Sequence, residues 1–148
     1  MLELVLHHGL WLAVCDGQKA MLLENQGDRN FPKLEARRIS EQRNPPSHEQ
    51  GTAPPGRAFS SAGRRAATEE NDFHEQRAIA FLKEFATVIN HEVAQGRIGQ
   101  LAMIAPAKAL GQIRPFLSEQ VGKVLVGELA RDYVKMPLRQ IERALSKS

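Results

Sequence analysis

The sequence has almost no cysteine, since Cys15 is the only one among its 148 residues. A disulfide within the chain is therefore excluded, and the composition fits a reducing compartment. Because Cys15 lies in a short apolar run, we interpret it as an inert core thiol rather than a nucleophile.

Long apolar runs and targeting features are also lacking. Segment 1–14 is apolar, but it has Glu3 where an export signal has a basic leader, and it has no small-residue cleavage site. No stretch approaches the roughly 20 apolar residues that span a bilayer. We expect a cytoplasmic protein without membrane contact.

The signatures of common enzymes and cofactor sites are missing as well. Its glycines near predicted helix ends are isolated, so they form neither a phosphate-binding loop nor a dinucleotide-binding motif. His74-Glu75 lacks the second histidine of a zinc protease, and no nucleophile-elbow pattern surrounds Ser60 or Ser61. The sequence predicts no cofactor, no metal site and no set of catalytic residues, and it favours a protein without enzymatic activity.

What is present is an ordinary globular composition with an uneven charge. Apolar residues make up 42% of the chain, which suits a single domain over 1–148 with one core. Between Arg29 and Arg65, eight Lys and Arg residues face three Asp and Glu residues, whereas the rest of the chain is slightly acidic. A basic excess concentrated in one segment indicates a surface that can attract a polyanion.

The first part of the chain predicts a β-hairpin and a third strand. Apolar runs over 10–15 and 19–23 flank Asp16-Gly17, a pair typical of a type I′ turn, whose two central residues need positive φ. A third strand is expected over 33–40. Proline, glycine and serine then predict a long, exposed, basic loop over 44–66.

The second part alternates helices with strands. Asp72 and Glu75 have the spacing of a capping box, so we expect a long amphipathic helix from Asp72 to Gln95. The elements expected after it are a strand over 101–105, a helix over 107–119, a strand over 123–129 and a helix that starts at Pro137. The predicted fold class is α/β, with a mixed sheet of about five strands and helices on its faces.

Several motifs in this order resemble the bacterial host attachment protein family. They are the strand-turn-strand 12–24, the loop 55–63, His74-Glu75 at the head of the long helix, the strand-to-helix segment 104–114, and Glu128 and Asp132 before the last helix. The order of elements is also similar, more remotely, to the middle domain of archaeal and eukaryotic release factors and of Pelota, which implies a ribonuclease-H-like fold. Release factors carry a Gly-Gly-Gln loop before the long helix. This chain has Pro55-Gly56-Arg57 through Gly63 there instead, so peptide-release chemistry is not expected.

The basic segment is the main candidate site, because Arg and Lys side chains contact phosphates and glycines let backbone amides approach them. The nucleic-acid-binding candidates are Arg57, Arg64, Arg65, Lys33, Arg37 and Arg38. Phe59 is the only aromatic residue in the loop 44–66, so base stacking is not expected. The competing interpretation is that these arginines only keep a loop soluble.

A second set of candidates comes from acidic residues and one histidine. Nucleases of this outline hold divalent metal between clustered carboxylates. The carboxylate candidates are Asp16, Asp72, Glu128 and Asp132, of which the helix cap already explains Asp72. His74 is a further candidate functional residue, with a surface or packing role in the first turn of the helix as the competing interpretation. The turn already explains Asp16, and the spacing of the carboxylates is not diagnostic.

The resemblance implies a role in the attachment of bacteria to host cells. The hypothesis we favour is a non-enzymatic role exerted inside the cell through binding to the ribosome or to RNA. Two alternatives stay open at this point. One is a metal-dependent hydrolase or nuclease, and the other is a scaffold that binds another protein.

Overall fold

The computed structural model describes residues 5–42 and 60–146, and within the second range it describes side chains from residue 73 onward. The strands are β1 (Trp11–Cys15), β2 (Lys19–Asn25), β3 (Leu34–Glu41), β4 (Leu101–Ala105) and β5 (Leu125–Ala130). The helices are α1 (Ser60–Ala94), α2 (Ala107–Ile113), α3 (Glu119–Val124) and α4 (Leu138–Ser146), with a 3-10 turn over Arg114–Phe116.

The five strands form one mixed sheet in the order β3-β2-β1-β4-β5. The pairs β1–β2 and β2–β3 are antiparallel, whereas β1–β4 and β4–β5 are parallel. Every residue of β1 and β4 is buried, as expected for central strands that are covered on both faces. The predicted α/β class, with a mixed sheet of about five strands, is confirmed.

Each face of the sheet carries its own core. On one face, α1 packs Leu82, Phe85 and Ile89 against the sheet, and α2 and α3 lie beside it. These positions recur at three- and four-residue intervals, which is the spacing of one helix face. On the other face, α4 packs Ile141 and Leu145 against the sheet. Alternate residues of β1 serve the two cores, since successive side chains of a strand point to opposite faces.

The long helix begins at Ser60, so the predicted start at Asp72 and the capping box were wrong. The apolar periodicity begins only where the helix packs on the sheet. The residues before that point are rich in Ala, Arg and Glu, which favour a helix without any apolar stripe. The last seven positions of the predicted loop 44–66 are therefore helical, and residues 43–59 lie outside the described ranges.

The turn between β1 and β2 is not of type I′. Among the described residues only Gly9 and Gly96 have positive φ, so Gly17 does not have the conformation that we predicted. The Asp16 side chain forms the turn instead. Its Oδ1 accepts hydrogen bonds from the backbone N–H groups of Gln18 at 2.7 Å and Lys19 at 2.8 Å.

The helix predicted over 107–119 is interrupted. It ends at Ile113, and Pro115 lies in the 3-10 turn, in agreement with the expectation that this proline opens or kinks a helix. Asn90 of α1 fixes the break, because its side chain donates to the Phe116 carbonyl at 3.0 Å and accepts from the Ser118 N–H at 2.9 Å. The next helix, α3, takes up the first residues of the strand predicted over 123–129, so β5 begins at Leu125.

Candidate functional site

The carboxyl ends of β1, β3, β4 and β5 lie at the same edge of the sheet. From β1 the chain turns to β2 on one side, whereas from β4 it crosses to β5 on the other side. Connections that leave neighbouring parallel strands in opposite directions open a crevice at their carboxyl ends, where α/β proteins bind their ligands. Asp16 directly follows β1, and Pro106 directly follows β4.

A cavity of about 740 Å³ lies at this edge. Its polar lining side chains are those of Asp16, Gln18, Glu41, Gln42, His74, Asp132 and Lys135. A second cavity of about 560 Å³ shares Asp16, Gly17, His74, Ala78 and Pro106 with the first, and it extends toward α2. We call the two together the carboxyl-edge cavity.

Hydrogen bonds between strand ends hold the wall of the carboxyl-edge cavity in place. After β3, the Gln42 N–H donates to the Gln18 carbonyl at 2.8 Å, and its side chain donates to the Gly17 carbonyl at 2.7 Å. After β5, the Arg131 N–H donates to the Ala105 carbonyl at 3.1 Å, which ties the end of β5 to the end of β4. The backbone positions that carry Asp16 and Asp132 are therefore both fixed by the sheet.

The structure brings three of the acidic and histidine candidates together. Asp16, His74 and Asp132 line the carboxyl-edge cavity. Glu128 lies away from them in β5, where its carboxylate accepts hydrogen bonds from the Arg114 guanidinium. The described residues contain no group of three His, Cys, Asp or Glu side chains placed to hold a metal ion.

The carboxyl-edge cavity has a mixed charge. Its larger part is lined by the carboxylates of Asp16, Glu41 and Asp132 and by the Lys135 ammonium group. In the smaller part, Lys108 Nζ lies 3.0 Å from Glu75 Oε1. With carboxylates, an imidazole and an ammonium group around one space, the cavity presents both acceptors and donors to a polar ligand.

Cys15 lies beside this edge but is closed off from it. Its side chain is fully buried, and burial, together with the charge of Asp16, raises the pKa of the thiol to about 12. A thiol with such a pKa is protonated at neutral pH, and nucleophilic cysteines act as thiolates. The structure agrees with the interpretation of Cys15 as an inert core thiol.

Three of the six basic candidates lie in or directly before β3, and the other three lie where the structure describes no side chains. Lys33, Arg37 and Arg38 are exposed. Arg37 Nε lies 2.9 Å from Glu24 Oε1, while Lys33 Nζ lies 3.9 Å from Glu35 Oε2. Arg57 lies outside the described ranges, and Arg64 and Arg65 lie in the first turns of α1 with undescribed side chains.

Arg38 forms no ion pair with any side chain that the structure describes. It lines a groove of about 450 Å³ between β3 and α1, with Phe81 and Phe85 of α1 beneath it. The groove joins the edge strand to the helix that carries Arg64 and Arg65 at its start. The described charges of the groove balance, since Glu41 and Glu84 line it together with Arg38 and Arg77.

Sequence reasoning missed one exposed aromatic residue in the basic segment. Phe31 is 80% exposed and lies between Arg29 and Lys33. The sequence-based hypothesis considered Phe59 alone as a stacking residue. Its neighbours Gly27, Asp28 and Pro32 are typical turn residues, and they could have marked it as a residue displayed on a loop.

Within residues 5–42 and 60–146, no helix combines the length and the apolar character needed to cross a bilayer. Residues 9–145 match the family described as bacterial archaeo-eukaryotic release factor family 12. No curated protein matches the chain. The family match confirms the release-factor similarity that the order of elements predicted, and it gives no support to the host-attachment name.

Proposed function

Since the chain belongs to bacterial archaeo-eukaryotic release factor family 12, we propose that it acts in translation, in the cytoplasm, by binding ribosomal RNA through the surface of β3 and α1 that carries Arg38. The observation that carries the proposal is Arg38, an exposed cation on edge strand β3 that has no ion pair within the described part of the chain, whereas its neighbour Arg37 is paired with Glu24 and Glu35. Such side chains neutralise phosphates and release counterions, which drives the binding of nucleic acids.

The chemistry of this binding protein differs from peptide release. Its sequence contains no Gly-Gly-Gln motif, and Pro55-Gly56-Arg57 through Gly63 stands before the long helix. The proposed role is therefore non-enzymatic. An effect on attachment to host cells would follow downstream of this activity rather than from direct adhesion.

Binding of purified ribosomes and of ribosomal RNA fragments at several salt concentrations tests the proposal. We expect the affinity to fall steeply with salt, and Arg38→Ala combined with Arg64→Ala to reduce the slope by about 1 for each phosphate contact that is lost. Arg139→Ala is the matched control, because Arg139 is an exposed arginine of α4 on the other face of the sheet. Absent binding, or binding that salt does not weaken, would reject the function. A protein partner that stays bound after nuclease treatment would favour the scaffold hypothesis instead.

Hydrolysis is a second candidate, and one observation favours it. His74, Asp16 and Asp132 line the same cavity, and an imidazole beside carboxylates can transfer protons in catalysis. If the wild-type protein cleaves RNA or an ester substrate, His74→Ala should abolish the activity, and His91→Ala should leave it unchanged, because His91 is exposed near the far end of α1. A wild-type protein inactive on such substrates, with and without divalent cations, would exclude this function.

A further inference from the structure

The loop between β2 and β3, residues 26–33, is built to hold one conformation. Its two ends are joined by a hydrogen bond from the Gln26 N–H to the Lys33 carbonyl at 2.8 Å. Inside it, the Asp28 N–H donates to the Phe31 carbonyl at 3.1 Å. The Asp28 side chain closes the tip, because its Oδ1 accepts from the N–H groups of Asn30 at 2.9 Å and Phe31 at 2.8 Å.

Asn25 anchors this loop to the core. It is fully buried, and its Oδ1 accepts from the N–H groups of Gly27 at 3.0 Å and Lys33 at 2.9 Å. Its Nδ2 donates to the carbonyls of Leu6 at 2.8 Å and His7 at 3.0 Å. One buried amide therefore satisfies groups at both ends of the loop and in the segment before β1, as buried polar side chains generally must.

Gly27 lets the loop close this tightly. A Cβ added at Gly27 would lie 2.1 Å from the Phe31 carbonyl oxygen and 2.7 Å from the Lys33 nitrogen. Both are backbone atoms, which cannot move aside as a flexible side chain would. The loop conformation is thus set by Asn25, Gly27 and Asp28 before any partner arrives.

What this loop displays is an aromatic ring between cations. At 80%, Phe31 is the most exposed of the large apolar residues that the structure describes; the next, Ile39, is 55% exposed. Arg29 and Lys33 on either side of it are exposed as well, and Arg29 has no ion pair within the described ranges. A ring with cations two residues before and after it combines the two groups that bind single-stranded nucleic acid, an aromatic face for a base and positive charges for phosphates.

We propose that Phe31 is a stacking platform for an unpaired base of single-stranded RNA, with Arg29 and Lys33 binding the adjacent phosphates. The proposal rests on the proposed RNA-binding function, and it specifies that unpaired nucleotides are recognised. It also replaces the sequence-based expectation that base stacking plays no part. Stacking on an aromatic ring accepts any base, because every base has a flat π face, so the platform adds affinity without strict sequence preference. A rigid loop loses little conformational freedom on binding, which strengthens the contact.

Two substitutions at one position separate stacking from apolar contact. Phe31→Leu keeps an apolar side chain but removes the ring, whereas Phe31→Trp enlarges the ring. We expect Phe31→Leu to weaken the binding of a single-stranded oligouridine about tenfold, with little effect on a duplex RNA of the same length. Phe31→Trp should bind the single strand at least as well as the wild type does. Val126→Ala is the control for loss of an exposed apolar side chain, since Val126 is 50% exposed on β5, at the opposite edge of the sheet from β3.

Fluorescence gives an independent measurement. The wild-type chain has one tryptophan, Trp11, which is buried, so a tryptophan placed at position 31 reports on its own surroundings. Oligouridine should quench the Phe31→Trp fluorescence, and it should leave the wild-type emission unchanged. If RNA binds the wild type and Phe31→Leu equally, the stacking platform is wrong while the RNA-binding function stands. If neither single-stranded nor duplex RNA binds the wild type, both proposals fail.

Discussion

Gly17 and Ala78 lie in direct backbone-to-helix contact: a Cβ added to Gly17 would lie 2.8 Å from the Ala78 Cβ. The turn after β1 can approach α1 this closely only because both residues are small. His74 lies four residues before Ala78, and residues four apart share a helix face. The contact therefore places the His74 side of α1 beside Asp16, and it is what forms the carboxyl-edge cavity from two distant parts of the sequence.

This contact predicts that Gly17→Ala destabilises the protein. A methyl group in so small a gap forces a backbone shift, for which we expect a loss of about 1–3 kcal/mol in the free energy of unfolding, measured by urea denaturation. The same substitution in an Ala78→Gly background should cost clearly less, because the opposing methyl group is then absent. Equal costs in the two backgrounds would show that the two residues do not touch.

A pH dependence follows from the burial of Cys15. The folded state holds the thiol pKa at about 12, whereas the ordinary value is 9.0. Above pH 9 the unfolded chain therefore binds fewer protons than the folded chain, and the free energy of unfolding should fall with pH by up to about 1.4 kcal/mol per unit, until about pH 12. Below pH 9 the thiol is protonated in both states and contributes no slope.

The measurement is a comparison of slopes between the wild type and Cys15→Ala from pH 8 to 11. Other groups titrate in this range, but they do so in both proteins, and their effect cancels in the difference. We expect Cys15→Ala to lose stability more slowly as the pH rises. Parallel curves for the two proteins would mean that the thiolate is tolerated in the core.

A third prediction concerns the two hydrogen bonds by which the Asn90 side chain holds the chain between α2 and α3. Asn90→Ala leaves the Phe116 carbonyl and the Ser118 N–H without their partner, so we expect a loss of about 1–3 kcal/mol in the free energy of unfolding. Thr87→Ala is the control on the same helix, because its hydroxyl bonds only to the exposed Lys83 carbonyl within its own helix. Its effect should stay within about 0.5 kcal/mol. Equal losses in both variants would contradict a clamping role for Asn90.

The sequence predicted those parts of the fold that leave a local pattern. The continuous apolar run 101–105 indicated a buried central strand, and β4 is buried throughout. The run 10–15 predicted the first strand of a hairpin, and β1 lies at Trp11–Cys15. The third strand was predicted at 33–40 and lies at Leu34–Glu41. Helix α1 was predicted only from Asp72 onward, because the sequence before that residue has no apolar periodicity from which a helix could be recognised.

Long-range contacts explain the features that the sequence did not reveal. The break after Ile113 depends on Asn90, more than twenty residues earlier, and the close approach of the Gly17 turn to α1 depends on the small side chain of Ala78. For the same reason, the sequence could identify Asp16, His74 and Asp132 as candidates one by one, but it could not show that they line one cavity. That follows only from the order of the strands. Phe31 has a local signal in its turn residues, but the sequence-based hypothesis drew only on the basic residues and on Phe59.

The last prediction links the shape of the 26–33 loop to its binding. Gly27→Ala would force the Phe31 carbonyl and the Lys33 nitrogen away, so Phe31 would no longer be held in its exposed position. We expect the affinity for single-stranded oligouridine to fall by about as much as in Phe31→Leu, roughly tenfold, with the duplex affinity nearly unchanged. Gly99→Ala is the matched control, since a Cβ added there meets no atom within 4 Å. If Gly27→Ala remains folded and binds the single strand as tightly as Gly99→Ala does, the aromatic ring acts without the rigid loop, and the preformed platform is excluded.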